Sequence, residues 1–375
     1  MAVYLGYLVL AGIQALFFYN WNGLRKRQFN MRAYKDTFRK ISFNMQPYLL
    51  LCCIELILLA GLRGYTIGAD TALYLDALRH FSSLPIWEIP FAPLVYPFDF
   101  EIGYFALTKV CAFLGMNETV FLFVIAMITY IPVFVTIQKH SKIPYLSILS
   151  YFAFGMFSYS LGVFRQMIAV SILLCGWKYV KERKLINYLL VVGLAMTFHM
   201  TSVIAILLYI LYGINWKKIM WFIIPAEVLL LIFGRYVVIL ATKVMPPFAH
   251  YLGGMYDQQG GSYLMLILLN LVLLVCIILN KQGRFDNDMT ICALILAILL
   301  QAVGYSMALF GRIVLFFSIY LIFAIPNAVN GLGEKWRKPA GIVVIVMLFF
   351  LSFMMISGNQ YVVPYYAFFQ EAPIT

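Results

Sequence analysis

Charge is scarce in this sequence. Asp, Glu, Lys and Arg make up 11% of its 375 residues, against about 25% in an ordinary soluble domain. That shortage excludes a soluble enzyme, a nucleic-acid binder and a disordered chain. Histidine is limited to four scattered residues, so no metal-binding cluster is spelled out. The cysteines Cys52, Cys53, Cys111, Cys175, Cys276 and Cys292 all sit in apolar runs without a Cys-x-x-Cys pair. They read as buried thiols rather than disulfides or zinc ligands. No Lys or Arg precedes the first apolar run, so a cleavable signal is not expected. Nor is there a visible internal repeat of the kind that builds two-halved transporters.

What is abundant is apolar: 64% of residues are hydrophobic and 17% aromatic, with mean hydropathy +0.91. A soluble core stops growing beyond ~250–300 residues, so this much apolar surface belongs in a bilayer. A span takes about 20 mostly apolar residues. Apolar runs fall near 3–20, 48–62, 118–137, 145–160, 164–180, 187–199, 200–213, 218–234, 262–279, 289–304, 311–328 and 339–357. The expectation is an all-α, polytopic integral membrane protein. It has about twelve transmembrane helices, with eleven to thirteen compatible with the runs. Residues 1–375 form a single transmembrane domain, with long extracytoplasmic loops at 63–117 and 235–261.

The basic residues orient this ladder. Seven of them lie between Trp21 and Pro47, and 20 of the 27 Lys and Arg fall on one side, which the positive-inside bias makes cytoplasmic. Both termini then face outward. The weak step is 187–213, which reads either as two short spans or as one tilted helix; two keep Lys217 and Lys218 inside. Residues 102–115 look like a helix too short to cross, either re-entrant or lying in the interface.

Seven basic residues remain outside, where that bias gives no reason for them. Three open or close apolar spans: Arg63, Arg165 and Arg312. Each reads either as a snorkelling side chain or as a guanidinium fork for phosphate oxygens. Three at one depth suggest a diphosphate site. His199 stands alone in an apolar stretch and reads as a hydrogen-bonded core residue or as a base in the same cavity. Asp70 reads as the cap of a helix over 71–81 or as a carboxylate at the membrane surface. Asp99-Phe-Glu101 is an acidic pair that a hard divalent cation accepts, though as a spacing it is common. Glu55 and Glu227 lie within spans and have no partner visible in the sequence.

Taken in order, Arg63 then Gly68-x-Asp70-Thr71-x-x-Tyr74, Glu101-x-Gly103-Tyr104, Phe164-Arg165-Gln166-x-x-Ala169, Phe198-His199-x-Thr201 and a late Arg312 resemble the EpsG family of Wzy-type polysaccharide polymerases. The likeness runs from about residue 60 to 325. It implies a bacterial inner-membrane enzyme with its active site on the extracytoplasmic side. Its substrates are undecaprenyl-diphosphate-linked oligosaccharides, as in exopolysaccharide, capsule or O-antigen synthesis. It also implies membrane lipid around the chain, flippase and chain-length-regulator proteins as partners, and no cofactor or metal.

On that reading a growing glycan moves from its lipid diphosphate to the non-reducing hydroxyl of an incoming repeat. Arg63, Arg165 and Arg312 hold the diphosphate, and His199, Asp70 or Glu101 takes the acceptor proton. Gln166, Tyr74 and Tyr104 touch substrate. Tyr65, Tyr96, Tyr251 and Tyr256 are further rings available to stack on sugars. Two other readings stay open. One is a metal-dependent glycosyltransferase using a lipid-phosphate sugar, with Asp99 and Glu101 as ligands. The other is a flippase or transporter of lipid-linked glycan.

Overall fold

The computed structural model describes residues 1–28, 45–89, 100–244, 262–306, 308–359 and 361–370. The chain begins with α1 (Ala2–Gln28), α2 (Pro47–Gly61), α3 (Thr71–Ser82), α4 (Ile102–Phe113), α5 (Glu118–His140), α6 (Pro144–Ala153) and α7 (Met156–Gly162). Next come α8 (Phe164–Cys175), α9 (Trp177–Lys181), α10 (Leu185–Met196), a 3-10 turn over Met200–Ala205, α11 (Ile206–Gly213) and α12 (Trp216–Val244). The last third holds α13 (Tyr263–Lys281), α14 (Asp288–Ser306), α15 (Ala308–Ile313), α16 (Leu315–Ser318), α17 (Leu321–Gly331) and α18 (Glu334–Ser357). Each of the twelve apolar runs therefore carries helix.

Not every run is one helix of spanning length. Among the described residues, five helices are long and apolar enough to cross a bilayer: α5, α12 as far as Leu240, α13, α14 and α18. The stretch Gly311–Ser318 and α17, bent by 45° at their junction, make a sixth if taken as one broken span. The other runs carry shorter apolar helices, α1 counting among them over Ala2–Phe18. A 12-residue helix such as α8 or α10 rises only ~18 Å, against a hydrocarbon core of ~30 Å. Hydropathy counts apolar residues and does not see the breaks between them. The 145–160 run is interrupted at Gly155, in the left-handed region at φ +76°, and the 164–180 run at Gly176. Within the stretch expected as a loop at 235–261, α12 runs on to Val244; residues 245–261, with Tyr251 and Tyr256, lie outside the described residues. The loop at 63–117 is partly helical, holding α3 and α4.

Two compact units share these helices. The first comprises Met1–Phe98, Leu107–Phe164 and Ile345–Thr375; the second comprises Asp99–Ala106 and Arg165–Val344. In lipid, helices gain little from hiding apolar surface, so close packing and polar ties hold them together. In the first unit α2 lies along α5 and α1 packs on α2 and α6. Phe152 stacks on Phe157 at 4.2 Å, and the Tyr4 hydroxyl donates to the Val362 carbonyl at 3.0 Å. Glu55 finds the partner its sequence context does not reveal, the amide of Gln14.

In the second unit α14 is the central helix, with α11, α12, α13 and α17 packed on it and an unbroken run from Met289 to Ile298 buried. Glu227 accepts from Asn270 at 3.0 Å.

The second unit also resolves the 187–213 ambiguity in local geometry. The Tyr209 hydroxyl donates to the Arg183 carbonyl at 2.8 Å, and the Arg183 guanidinium returns a bond to the Tyr209 carbonyl. Tyr188 stacks on Tyr209 and donates to the Ala205 carbonyl at 2.9 Å. Residues before α10 thus meet residues in α11, so the chain reverses between them. It is a hairpin of two short helices, and its turn is at 197–199.

Candidate active site

That turn carries His199. With φ −156° and ψ 111° it is extended backbone between α10 and the 3-10 turn. The start of α4 is fastened beside it, where the Gly103 N–H donates to the Thr197 carbonyl at 2.7 Å. A Cβ on Gly103 would sit 2.3 Å from Thr197 Oγ1 and 2.7 Å from that carbonyl oxygen, so only glycine allows the approach. Glu101 precedes the first residue of α4 and its carbonyl accepts from Tyr104 and Phe105 N–H. Its side chain turns to the hairpin instead. Glu101 Oε1 accepts from the Met200 N–H at 3.0 Å, at the positive end of the 3-10 turn, where a carboxylate is favoured.

Three ionisable groups meet there. Arg165 Nη1 lies 2.5 Å from Glu101 Oε2, and His199 Nδ1 lies 3.3 Å from Glu101 Oε1. All three side chains are partly exposed, between 18% and 23%, so the cluster is reachable. Arg165 Cζ also sits 4.8 Å over the Phe100 ring, and the His199 ring stacks on Phe316 at 6.3 Å. Burial pushes the Glu101 carboxyl up, but the His199 contact and the Arg165 charge outweigh it and hold it down at about 2. Glu101 is therefore an anion throughout the neutral range.

Gln166, next along α8, is 1% exposed. Its amide donates to the Arg312 carbonyl at 2.5 Å, fixing the backbone where α15 ends. Among the described residues the Arg312 guanidinium has no partner. The second unit thus brings together Glu101, Arg165, Gln166, His199 and Arg312 from four separate stretches of sequence. Tyr104 is fully buried with its ring edge-on to Phe100 at 5.2 Å, so it packs and presents no face to a sugar. Phe100, Phe316 and the Met200 N–H escape a reading of the sequence. A phenylalanine in an apolar run carries no mark, and a backbone donor carries none at all.

The first unit holds Arg63, Asp70 and Tyr74. Arg63 is 1% exposed and its guanidinium is already engaged. It donates to the carbonyls of Ile67 (3.3 Å), Leu161 (2.9 Å) and Ala60, and lies 5.3 Å over the Phe164 ring. Its neighbours bind the C-terminal stretch: Gly64 N–H donates to Tyr366, Gly68 N–H to Tyr361, and Phe368 N–H to Leu62. Gly68, at φ +106°, has Leu161 O where a Cβ would stand. Thr71 Oγ1 donates to the Ile67 and Leu161 carbonyls, and Tyr74, 1% exposed, stacks on Phe164 at 4.6 Å. Asp70 occupies the N-cap position of α3 without a side-chain cap bond and is half-exposed. Asp99 and Tyr96 lie outside the described residues.

No curated protein and no solved structure matches the chain in comparison. The sequence profile of the EpsG family does, over residues 47–367, and the Glu101, Arg165, His199 and Arg312 stretches all fall inside that match. The chain belongs to the EpsG family.

Proposed function

We propose that this protein is a membrane polysaccharide polymerase, transferring a growing glycan from undecaprenyl diphosphate to the non-reducing end of an incoming lipid-linked repeat. Family membership supports a polymerase-like membrane protein, and one observation carries the finer reading. A guanidinium, an imidazole and a carboxylate meet within 3.3 Å of one another's partner atoms in a partly exposed cluster. A second guanidinium, that of Arg312, has no partner among the described residues, and the Arg312 main-chain carbonyl accepts from Gln166 on the same helix as Arg165.

The transfer needs two things. The acceptor hydroxyl oxygen attacks the anomeric carbon, whose bond to the diphosphate oxygen breaks. Negative charge grows on the departing diphosphate, where preorganised cations stabilise it; Arg165 and Arg312 take that role. The hydroxyl proton passes to a base, a task worth about 10²–10⁴-fold, and His199 takes it. Asp70, half-exposed at the head of α3, is the second candidate base. Glu101 is a poor one, since its carboxyl is held far below neutrality. Arg63 and Tyr74 serve by holding the loop after α2, and Tyr104 by packing against Phe100.

The metal-dependent reading draws less support, because both Glu101 oxygens are engaged by Arg165, His199 and Met200. The deciding experiment incubates purified protein with undecaprenyl-diphosphate-linked repeats and resolves the products on a gel. A ladder of polymer, persisting with EDTA, is expected. Scrambling of lipid-linked glycan across liposomes without chain growth would move the protein to the flippase class.

A further inference from the structure

The polymerase reading assigns work to His199 and Arg165 and leaves unexplained the carboxylate that touches both. Glu101 uses its two oxygens on different partners. Oε1 faces His199 Nδ1 and accepts from Met200 N–H; Oε2 faces Arg165 Nη1. His199 Nδ1 is a buried ring nitrogen without a hydrogen bond in the present geometry, and the 23% exposure of the side chain belongs to the rest of the ring. A buried nitrogen 3.3 Å from an anionic oxygen is stable as N–H and unstable as a lone pair, since two acceptors facing each other repel. The ring lies nearly parallel to that of Phe316, with centroids 6.3 Å apart. The Arg165 side is different. One guanidinium nitrogen meets Glu101 while Cζ sits 4.8 Å over the Phe100 ring, a contact that still holds when the guanidinium turns toward a second anion.

Resting on the polymerase reading, we infer that Glu101 is a positioning residue. Its Oε1 holds His199 with the proton on Nδ1, so that Nε2 is the proton acceptor, and its Oε2 occupies Arg165 until a diphosphate displaces it. Glu101 thus sets the direction of the base and shields the phosphate-binding guanidinium when substrate is absent. The exchange is an ion-pair swap and breaks no covalent bond.

Two measurements test it, neither needing turnover. Protein labelled with ¹⁵N-histidine contains four histidines, and His199→Gln identifies the resonance of interest. At mildly alkaline pH, wild-type protein in nanodiscs should show His199 as the Nδ1–H tautomer; an Nε2–H tautomer overturns the proposal. Inorganic pyrophosphate is the second probe. Glu101→Gln removes the competing anion, so affinity for pyrophosphate should rise about tenfold or more, and Arg165→Ala in that background should abolish the gain. Unchanged affinity in folded Glu101→Gln protein also overturns it. If that variant does not fold, the wild-type tautomer still decides. Where lipid-linked repeats are available, Glu101→Gln should lower kcat and KM together, a split that general misfolding does not produce. If tautomer and affinity behave as stated but no polymer forms, the polymerase reading falls while the assignment of Glu101 stands.

Discussion

Replacing Arg165 by Lys separates a phosphate-gripping guanidinium from one that only reaches for the membrane surface. Three things about Arg165 bear on the outcome: an edge contact to Glu101 at 2.5 Å, a face on Phe100 at 4.8 Å, and a side chain 23% exposed. An ammonium reproduces the charge and one contact. It lacks the planar fork that presents two parallel N–H groups to one anion. In the transfer step the swap therefore deletes about one charge-assisted hydrogen bond to the diphosphate, ~1.5–3 kcal/mol. At 1.36 kcal/mol per tenfold in rate, that is roughly 10- to 150-fold in kcat/KM. The weakened contact with Phe100 adds at most ~0.5–1 kcal/mol at a site this open. The assay is polymer formation from lipid-linked repeats by purified Arg165→Lys protein, with thermal unfolding measured alongside. Folding should stay close to wild type, because the ion pair with Glu101 survives. Arg165→Ala should lose more activity than Lys. Wild-type activity in the Lys variant would refute the phosphate role and leave Arg165 a snorkelling side chain.

Arg63→Ala should act on stability rather than chemistry. It removes three hydrogen bonds to main-chain carbonyls; those of Ile67 and Leu161 keep the Thr71 hydroxyl, while the Ala60 carbonyl loses its Arg63 donor at a cost of ~1–3 kcal/mol, and a thermal transition in detergent unchanged from wild type would contradict that. Gly103→Ala should cut activity sharply, since its Cβ meets the Thr197 carbonyl and the start of α4 must back away from His199; full activity would show that the approach is not needed. The carboxyl of Glu101 is depressed from its ordinary 4.5 to about 2. Its contribution to stability is thus complete above about 4.5 and disappears as pH falls through about 2. Wild type should therefore lose stability on acidification more steeply than Glu101→Gln, and parallel pH curves would count against the ion pair. In a background without native cysteines, a cysteine at Glu88 should react with an impermeant thiol reagent from outside and one at Gln282 should not; the reverse pattern would invert the expected orientation.

The sequence alone was enough to place helix in each apolar run, because membrane-compatible backbone must satisfy its own hydrogen bonds and long apolar runs have few other ways to do so. A reversal near His199 was one of the two readings it left open for 187–213, and the scarcity of outer charge singled out Arg63, Arg165 and Arg312 together. What it did not carry is which of three similar arginines is spoken for. Arg63 and Arg165 look alike in sequence, each at the end of an apolar run. Only the fold wraps Arg63 in the carbonyls of Ala60, Ile67 and Leu161, and a carbonyl belongs to every residue, so no side-chain pattern announces it. The same holds for Glu101. Its neighbours in sequence say it is acidic and near a helix start, whereas its partners lie 64 and 98 residues away. They reach it because Gly103 lets two backbones come within hydrogen-bonding distance. Long-range pairing of polar groups is decided by how helices pack, and packing is a property of the whole chain, which local hydropathy does not record.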